Sequence, residues 1–298
     1  MSNSNNQAAG NELNVFLNGQ LVPESQATVS VADAGFLHGA AVFSTALAHN
    51  GVVFRLDRHL ARMFDTATML GLRTGATPEE LTDATARLLA ANELTEARVR
   101  ITLTPGSVHG AEPTTLITAH PLPAYPPEWY EKGIGVVISS LRQGSGPPIY
   151  GCKTGCYLPR IIARQEAATK GFDEALWFTE DNRLAEACTC SVFLVLGGEV
   201  LTPPISTPVL PGVVRQAVID LCEGLDIPCH ERALTIRELL EAQEVFLTSS
   251  CAGIRPVARI ERHAVGGEKP GPVTRRIRKA YGELLDRECG LGDKGETQ

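Results

Sequence analysis

The chain has 298 residues, 43% of them hydrophobic and 20% charged, with a formal net charge of −7. That balance describes one large or two medium globular domains with room for a sizeable core. The negative charge, with only 5% aromatic residues, excludes the basic, base-stacking surface of a nucleic-acid binder and opposes docking to an anionic membrane.

Residues 1–12 are rich in Ser, Asn, Gln and Gly and read as a flexible tail. Residues 13–22 read as a hairpin turned at Asn18-Gly19. Residues 30–41 are rich in Gly and Ala and show no clear period. Residues 42–48 read as a strand that turns at Asn50-Gly51. Leu56, Leu60, Met63 and Phe64 have helical spacing over 56–65. Thr77-Pro78-Glu79-Glu80 is a capping signal for a second helix ending near Asn92. The alternation in 97–104 predicts a strand, and 114–119 predicts another. Pro121, Pro123, Pro126 and Pro127 stiffen the next stretch and forbid a helix or a central strand there. This places a small N-terminal domain at 13–120, a linker at 121–130, a larger domain at 131–290 and a tail at 291–298.

In the larger domain, strands are expected at 133–140, 174–178, 184–187, 191–195, 199–202 and 245–248. Helices are expected at 158–168, 212–224, 235–242 and 274–283. In the first of these, Ile161, Ile162 and Ala168 are expected to face the core. Hairpins are frequent and strict β-α alternation is absent, which makes the fold class α+β.

Eight cysteines in a chain this long are too dilute for a disulfide scaffold. No N-terminal apolar run reads as a signal peptide, and no apolar run is long enough to span a bilayer. Reduced thiols and a cytoplasmic location are therefore expected. Cys152-x3-Cys156 and Cys188-x-Cys190 have neither the spacing nor the neighbouring histidines of a zinc site, so no metal is expected.

Five features carry candidate chemistry. Lys153 stands between Gly151 and Gly155, just before a helix. It reads either as a solvated turn lysine or as an amine that forms a Schiff base with an aldehyde cofactor, the glycines leaving clearance beside it. Glu186 ends a predicted strand, where it is either an exposed carboxylate or the partner of a protonated pyridine nitrogen. Leu210-Pro211-Gly212-Val213-Val214 opens a helix whose free N–H groups suit a phosphate. Thr248-Ser249-Ser250-Cys251 ends a strand in hydroxyl and amide donors. Arg58, with Arg55 and Arg62 as alternatives, supplies a guanidinium. Together these describe pyridoxal phosphate.

The joint order of Phe54-Arg55-Leu56-Asp57-Arg58-His59-Leu60, Lys153, Leu184-Ala185-Glu186, Ser191-Val192-Phe193, Leu210-Pro211-Gly212-Val213-Val214-Arg215 and Phe246-Leu247-Thr248-Ser249-Ser250 resembles the class IV aminotransferases, fold type IV enzymes of pyridoxal 5'-phosphate. The resemblance covers about 15–285. It implies Lys153 as the Schiff-base lysine, Glu186 on the ring nitrogen and Arg58 on the phosphate. It also implies Val213 and Val214, beside Gly212, as backbone phosphate binders. Ser250 becomes a hydroxyl donor beside Ser249 and Cys251, with Ser191 and Tyr157 near the cofactor. Phe36 and Thr45 are candidate substrate contacts; Arg255, where the family more often carries threonine, is either a third that reads a substrate carboxylate or a solvated loop arginine. The implied fold is a small α/β domain and a larger pseudo-barrel domain, with the cofactor between them and a homodimer closing the site.

Within the family, Gly271-Pro272-Val273-Thr274-Arg275 and Leu201-Thr202-Pro203-Pro204 resemble the branched-chain branch. Ser44 stands where transaminases commonly carry glutamate, and Cys156 where asparagine often precedes the tyrosine. The expected activity is transfer of an amino group from an apolar or branched-chain amino acid to a 2-oxo acid such as 2-oxoglutarate. The alternatives are aminodeoxychorismate lyase, a D-amino-acid or R-amine transaminase, and a non-catalytic homologue that binds the cofactor.

Overall fold

The computed structural model describes residues 12–107, 109–110, 112–144 and 149–290. Of the two expected tails only Glu12 lies within it. Asn18 and Gly19 both have positive φ, 46° and 92°, which suits the tight hairpin between β1 (Asn14–Leu17) and β2 (Gln20–Pro23). The periodless Gly-Ala stretch contains a single helical turn, α1 (Ala34–His38). Asp33 caps it, accepting from the Gly35 N–H at 2.7 Å, and the Thr104 and Thr114 hydroxyls donate to the same carboxylate. Next come β3 (Val42–His49), β4 (Val52–Val53), α2 (Leu56–Met69), α3 (Pro78–Ala91), β5 (Ala97–Thr104) and β6 (Thr114–Pro121). Thr77 and Glu80 close the expected capping box on α3. The strands form an antiparallel sheet in the order β2-β1-β6-β5-β3-β4. Leu60 and Met63 of α2 and Leu81 and Leu88 of α3 bury one face of it against Val99, Ile101 and Ile117. Strand β6 runs into Pro121, opposite Ala97, where the ladder ends and a missing N–H is tolerated.

The proline-rich segment is irregular except for one turn, α4 (Glu128–Glu131). After it come β7 (Ile134–Gln143), α5 (Leu158–Thr169), β8 (Glu174–Thr179), β9 (Leu184–Ala187), β10 (Ser191–Leu196), β11 (Glu199–Thr202), α6 (Val213–Gly224), β12 (Cys229–Glu231), α7 (Ile236–Glu241), β13 (Glu244–Ser249), β14 (Gly253–Ile260), β15 (His263–Ala264) and α8 (Pro272–Cys289). The second sheet runs β12-β11-β10-β13-β14-β7-β8-β9, with β15 on β14. It is mixed: β11/β12, β14/β7 and β7/β8 are parallel. The Ala187 N–H donates to the Cys190 carbonyl at 2.7 Å, so the edge strand β9 turns back onto β10 and the sheet curls toward a barrel. The α+β class expected from the hairpins is the class observed.

Two expectations fail here. Strand β14 is unforeseen because Pro256 interrupts its pattern; the strand pairs with β13 and β7 nonetheless. In α5 the buried residues are Ala163 and Ala167, packed with Val137, Ala175 and Trp177, while Ile161, Ile162 and Ala168 are exposed. The helix lies on its small residues, which lets it sit close to the sheet and turns its large apolar side chains outward. Among the described residues no helix is long and apolar enough to cross a membrane.

Candidate active site

A cavity of about 470 Å³ lies where β3, β5 and α2 of the first sheet meet the ends of β9, β10 and β13, the start of α6 and the segment before α5. Lys153 enters it from an extended stretch laid along β3. The Phe43 N–H donates to the Lys153 carbonyl at 2.9 Å, and the Gly155 N–H to the Ala41 carbonyl at 2.8 Å. Both flanking glycines allow close backbone approaches, Gly155 to the segment before β3 and Gly151 to the loop before α6, and Gly155 also lines the cavity. A Cβ on Gly155 would stand 2.7 Å from the Gly39 carbonyl oxygen, and one on Gly151 would stand 3.0 Å from that of Val209.

The Lys153 amine projects into the cavity between aromatic rings, 4.7 Å from the Phe43 centroid and 5.3 Å from that of Tyr157. It makes no ion pair among the described residues. Burial, reinforced by the Arg62 charge, lowers its pKa to about 8, with Glu186 pulling the other way. Glu186 is also buried and lines the same cavity. One of its oxygens takes the Arg160 guanidinium at 2.6 Å and the other the Leu210 N–H at 3.1 Å. The Tyr157 hydroxyl donates to the Cys188 carbonyl at 3.0 Å, and its ring meets Phe43 edge-on at 5.5 Å.

The opposite end is built for an anion. Gly212 is extended, with no side chain capping α6, so the Val213 and Val214 amides face the cavity from an open helix start. A Cβ at Gly212 would stand 3.0 Å from the Ser191 hydroxyl. Thr248 carries a buried hydroxyl with no hydrogen-bond partner, next to Ser249, Ser250 and Cys251. Arg62 lies between these groups and the first sheet. It donates to the Pro211 carbonyl at 3.1 Å and to the Ser44 hydroxyl at 2.9 Å. Ser44 stands 2.8 Å from His59 Nδ1, and burial lowers the His59 pKa to about 3, so this imidazole is neutral. Arg62 occupies the donor role toward Ser44, so the hydroxyl proton goes to His59 Nδ1 and the imidazole proton sits on Nε2.

Residues 41–260 match the family model for amino-transferase class IV. The chain belongs to the class IV aminotransferases. A putative branched-chain-amino-acid aminotransferase of Methanocaldococcus jannaschii is 31% identical, over 91% of this chain and 96% of its own length. A D-alanine aminotransferase of Bacillus licheniformis is 28% identical over 90% and 95%. The crystal structure of the Escherichia coli branched-chain amino acid aminotransferase superposes with a TM-score of 0.89 at 29% identity, covering 95% of this chain and 98% of the other. The curled second sheet thus belongs to the fold type IV architecture.

In this aminotransferase the cavity gathers Lys153, Tyr157, Glu186, Ser191, Gly212, Val213, Val214, Ser249, Ser250, Cys251 and Thr45. Three expected residues stay outside it. Arg58 points to solvent, 76% exposed, with Asp57 at 3.5 Å. Its alternative Arg55 is held by Asp220 and Glu288, leaving Arg62 as the arginine of the helix that lines the cavity. Phe36 is 73% exposed on α1. Arg255 is buried away from the cavity, with Cys190 at 2.9 Å and Glu174 at 3.8 Å.

Sequence reasoning missed several lining residues, Arg98, Arg100, Tyr125 and Arg160 among them. The arginine pair had a signal. Ala97, Val99 and Ile101 take the core face of β5, so Arg98 and Arg100 share the other. Arg100 lies over the Phe43 ring at 3.7 Å, and neither arginine has an ion-pair partner among the described residues.

Proposed function

We propose that this aminotransferase uses pyridoxal 5'-phosphate to move an amino group from an apolar or branched-chain amino acid to a 2-oxo acid such as 2-oxoglutarate. The observation that carries the reading is the Lys153 amine, enclosed in one cavity with the Glu186 carboxylate and without an ion-pair partner among the described residues. The donor set also fits the cofactor. Arg62, the Val213 and Val214 amides and the orphaned Thr248 hydroxyl suit its phosphate, and Glu186 suits a protonated ring nitrogen. When bound, the cofactor supplies an electrophilic aldehyde and an electron-accepting ring. Lys153 then does two things: it holds the aldehyde end and carries a proton from the substrate Cα. A pKa of about 8 keeps a useful share of the amine neutral near physiological pH. Glu186 would hold the proton of the ring nitrogen, and the phosphate donors would anchor the cofactor's other end.

Phe43 and Tyr125 give the substrate end apolar walls, while Arg98 and Arg100 offer two charges to carboxylates. Arg98→Ala or Arg100→Ala is therefore expected to raise KM for 2-oxoglutarate about tenfold or more, in keeping with a lost charged hydrogen bond. KM for 2-oxo-4-methylpentanoate, with its single carboxylate, is expected to rise less. Leucine with 2-oxoglutarate, assayed beside aminodeoxychorismate, tests the reaction itself. Pyruvate release from the latter, with no amino transfer, would make the chain a lyase instead.

A second copy completes the site in this reading. Phe36 and Leu37 of α1 and Leu158, Ile161 and Ile162 of α5 are exposed. The two helices adjoin, since Gly39 at the end of α1 packs on Gly155 and Cys156 before α5, and Ile161 also lines the cavity. A large exposed apolar face beside a cavity mouth suits a homodimer. Light scattering is expected to give twice the 31.9 kDa chain mass, and Phe36→Asp with Ile161→Asp the single mass. A monomeric native protein would rule this out. The two sheets support separate domains at 13–120 and 131–290, joined through 121–130. Eight free cysteines accord with a cytoplasmic setting.

A further inference from the structure

The Glu186 carboxylate already carries a cation. Arg160, two residues into α5 and seven after Lys153, places Nη2 at 2.6 Å from Glu186 Oε1. Three other contacts fix that guanidinium. Nη1 donates to the Ala187 carbonyl at 2.9 Å, Nη2 also donates to Gln143 Oε1 at 3.0 Å, and the group lies over the Trp177 ring at 4.4 Å. Gln143 is itself fully buried and donates to the Pro208 carbonyl. The ion pair is well shielded, its side chains 14% and 9% exposed. The other Glu186 oxygen is held by the Leu210 N–H, from the loop that leads into α6. Glu186 is thus clamped between the segment that carries the lysine and the loop that carries the anion site.

We propose that Arg160 is a positioning residue that aims the Glu186 carboxylate and weakens its hold on the proton of the cofactor's ring nitrogen. The inference rests on the reading of this cavity as a pyridoxal phosphate site. A carboxylate that faces only neutral donors favours a protonated ring nitrogen without competition. Here a fixed guanidinium shares the carboxylate, and a second cation beside it is repelled through a shielded medium. The other charged or titratable groups around Glu186 are Lys153, Arg62 and Tyr157. Cys188 and Cys190 also line the cavity, and Glu174 acts on Tyr157 and Cys188. Lys153 is engaged by the aldehyde and Arg62 by the phosphate in this reading. Arg160 is then the cation whose charge bears directly on the ring proton.

The test observes that proton directly. The protein is loaded with pyridoxal phosphate carrying an isotope-labelled ring nitrogen, and its nitrogen NMR shift is titrated with pH. The midpoint is expected to rise by on the order of one pH unit in Arg160→Met, about a tenfold tighter hold on the proton. Arg160→Gln, which retains hydrogen-bonding groups without the charge, is expected to rise alike, and it reads the effect if the methionine variant folds poorly. Arg160→Lys is expected to stay near the native midpoint. In a Glu186→Gln background the Arg160→Met shift is expected to shrink, because the shared carboxylate is gone and only the direct repulsion between the two cations remains. An unmoved or lowered midpoint in both neutral variants overturns the role of Arg160, and so does protonation up to the same pH in native and variant. Failure of the native protein to bind the labelled cofactor at all overturns the cofactor reading instead, and this inference with it.

Discussion

Lys153→Ala is expected to abolish amino transfer, lowering turnover by at least about ten-thousand-fold, because in the proposed function one amine is both the covalent anchor and the proton carrier. The fold is expected to survive the change. The Lys153 amine is enclosed beside Arg62 and Arg100, and its pKa is pulled down to about 8. A lysine whose folded pKa lies below its unfolded value opposes folding. That penalty is fully present below pH 8 and fades as pH rises toward the unfolded value near about 10.4. In the cofactor-free protein it amounts to roughly 3 kcal/mol at neutral pH. Lys153→Ala without cofactor is therefore expected to be at least as stable as the native chain at pH 7, with the advantage shrinking above pH 8. Urea titrations of both proteins at pH 7 and about pH 10 measure this. A variant that is both inactive and unfolded would assign the lysine a structural role.

Arg62→Met is expected to weaken pyridoxal phosphate binding about a hundredfold, and Arg58→Met by less than about twofold. The two arginines stand one helical turn apart on α2, so the comparison is internally controlled. Arg62 is held against Ser44 and the Pro211 carbonyl, and no carboxylate pairs with it among the described residues. Burial lowers its pKa to about 10, partly offset by Glu186, and it remains charged at neutral pH. In the proposed function the cofactor's phosphate dianion supplies the missing countercharge, and charge-assisted hydrogen bonds of this kind contribute about 1.5–3 kcal/mol each. Arg58 is solvated, and such exposed pairs contribute little. Quenching of intrinsic fluorescence on cofactor titration reads both constants. A larger loss at Arg58 than at Arg62 would contradict this assignment.

The resemblance implies Arg58, but which of Arg55, Arg58 and Arg62 meets the cavity is set by the buried stripe of α2, a helix that continues to Met69 and buries His59, Met63, Thr66 and Ala67. On that longer stripe Arg62 falls in the row of His59 and Thr66, while Arg58 lies off it. Strand β14 was hidden by Pro256, since a proline normally argues against an inner strand. Hairpin turns and capping boxes were legible because their chemistry is local: Asn-Gly at positive φ, Thr and Glu three residues apart. Lys153, Glu186 and the α6 start were legible because each sits at a junction of elements that sequence can mark. Arg160 and the Arg98–Arg100 pair were not. A polar strand face looks the same whether it meets water or a cavity, and an arginine's reach is fixed only by what packs around it. The exposed isoleucines of α5 failed similarly, since the smaller alanines opposite them made the closer fit to the sheet.

The most direct test of the account is to load the protein with pyridoxal phosphate, reduce it with borohydride and map the modified peptide by mass spectrometry. The account predicts a single pyridoxyl-phosphate adduct on Lys153, absent when the protein is first incubated with a reactive amino donor. An adduct spread over surface lysines, or one on another residue, would contradict it.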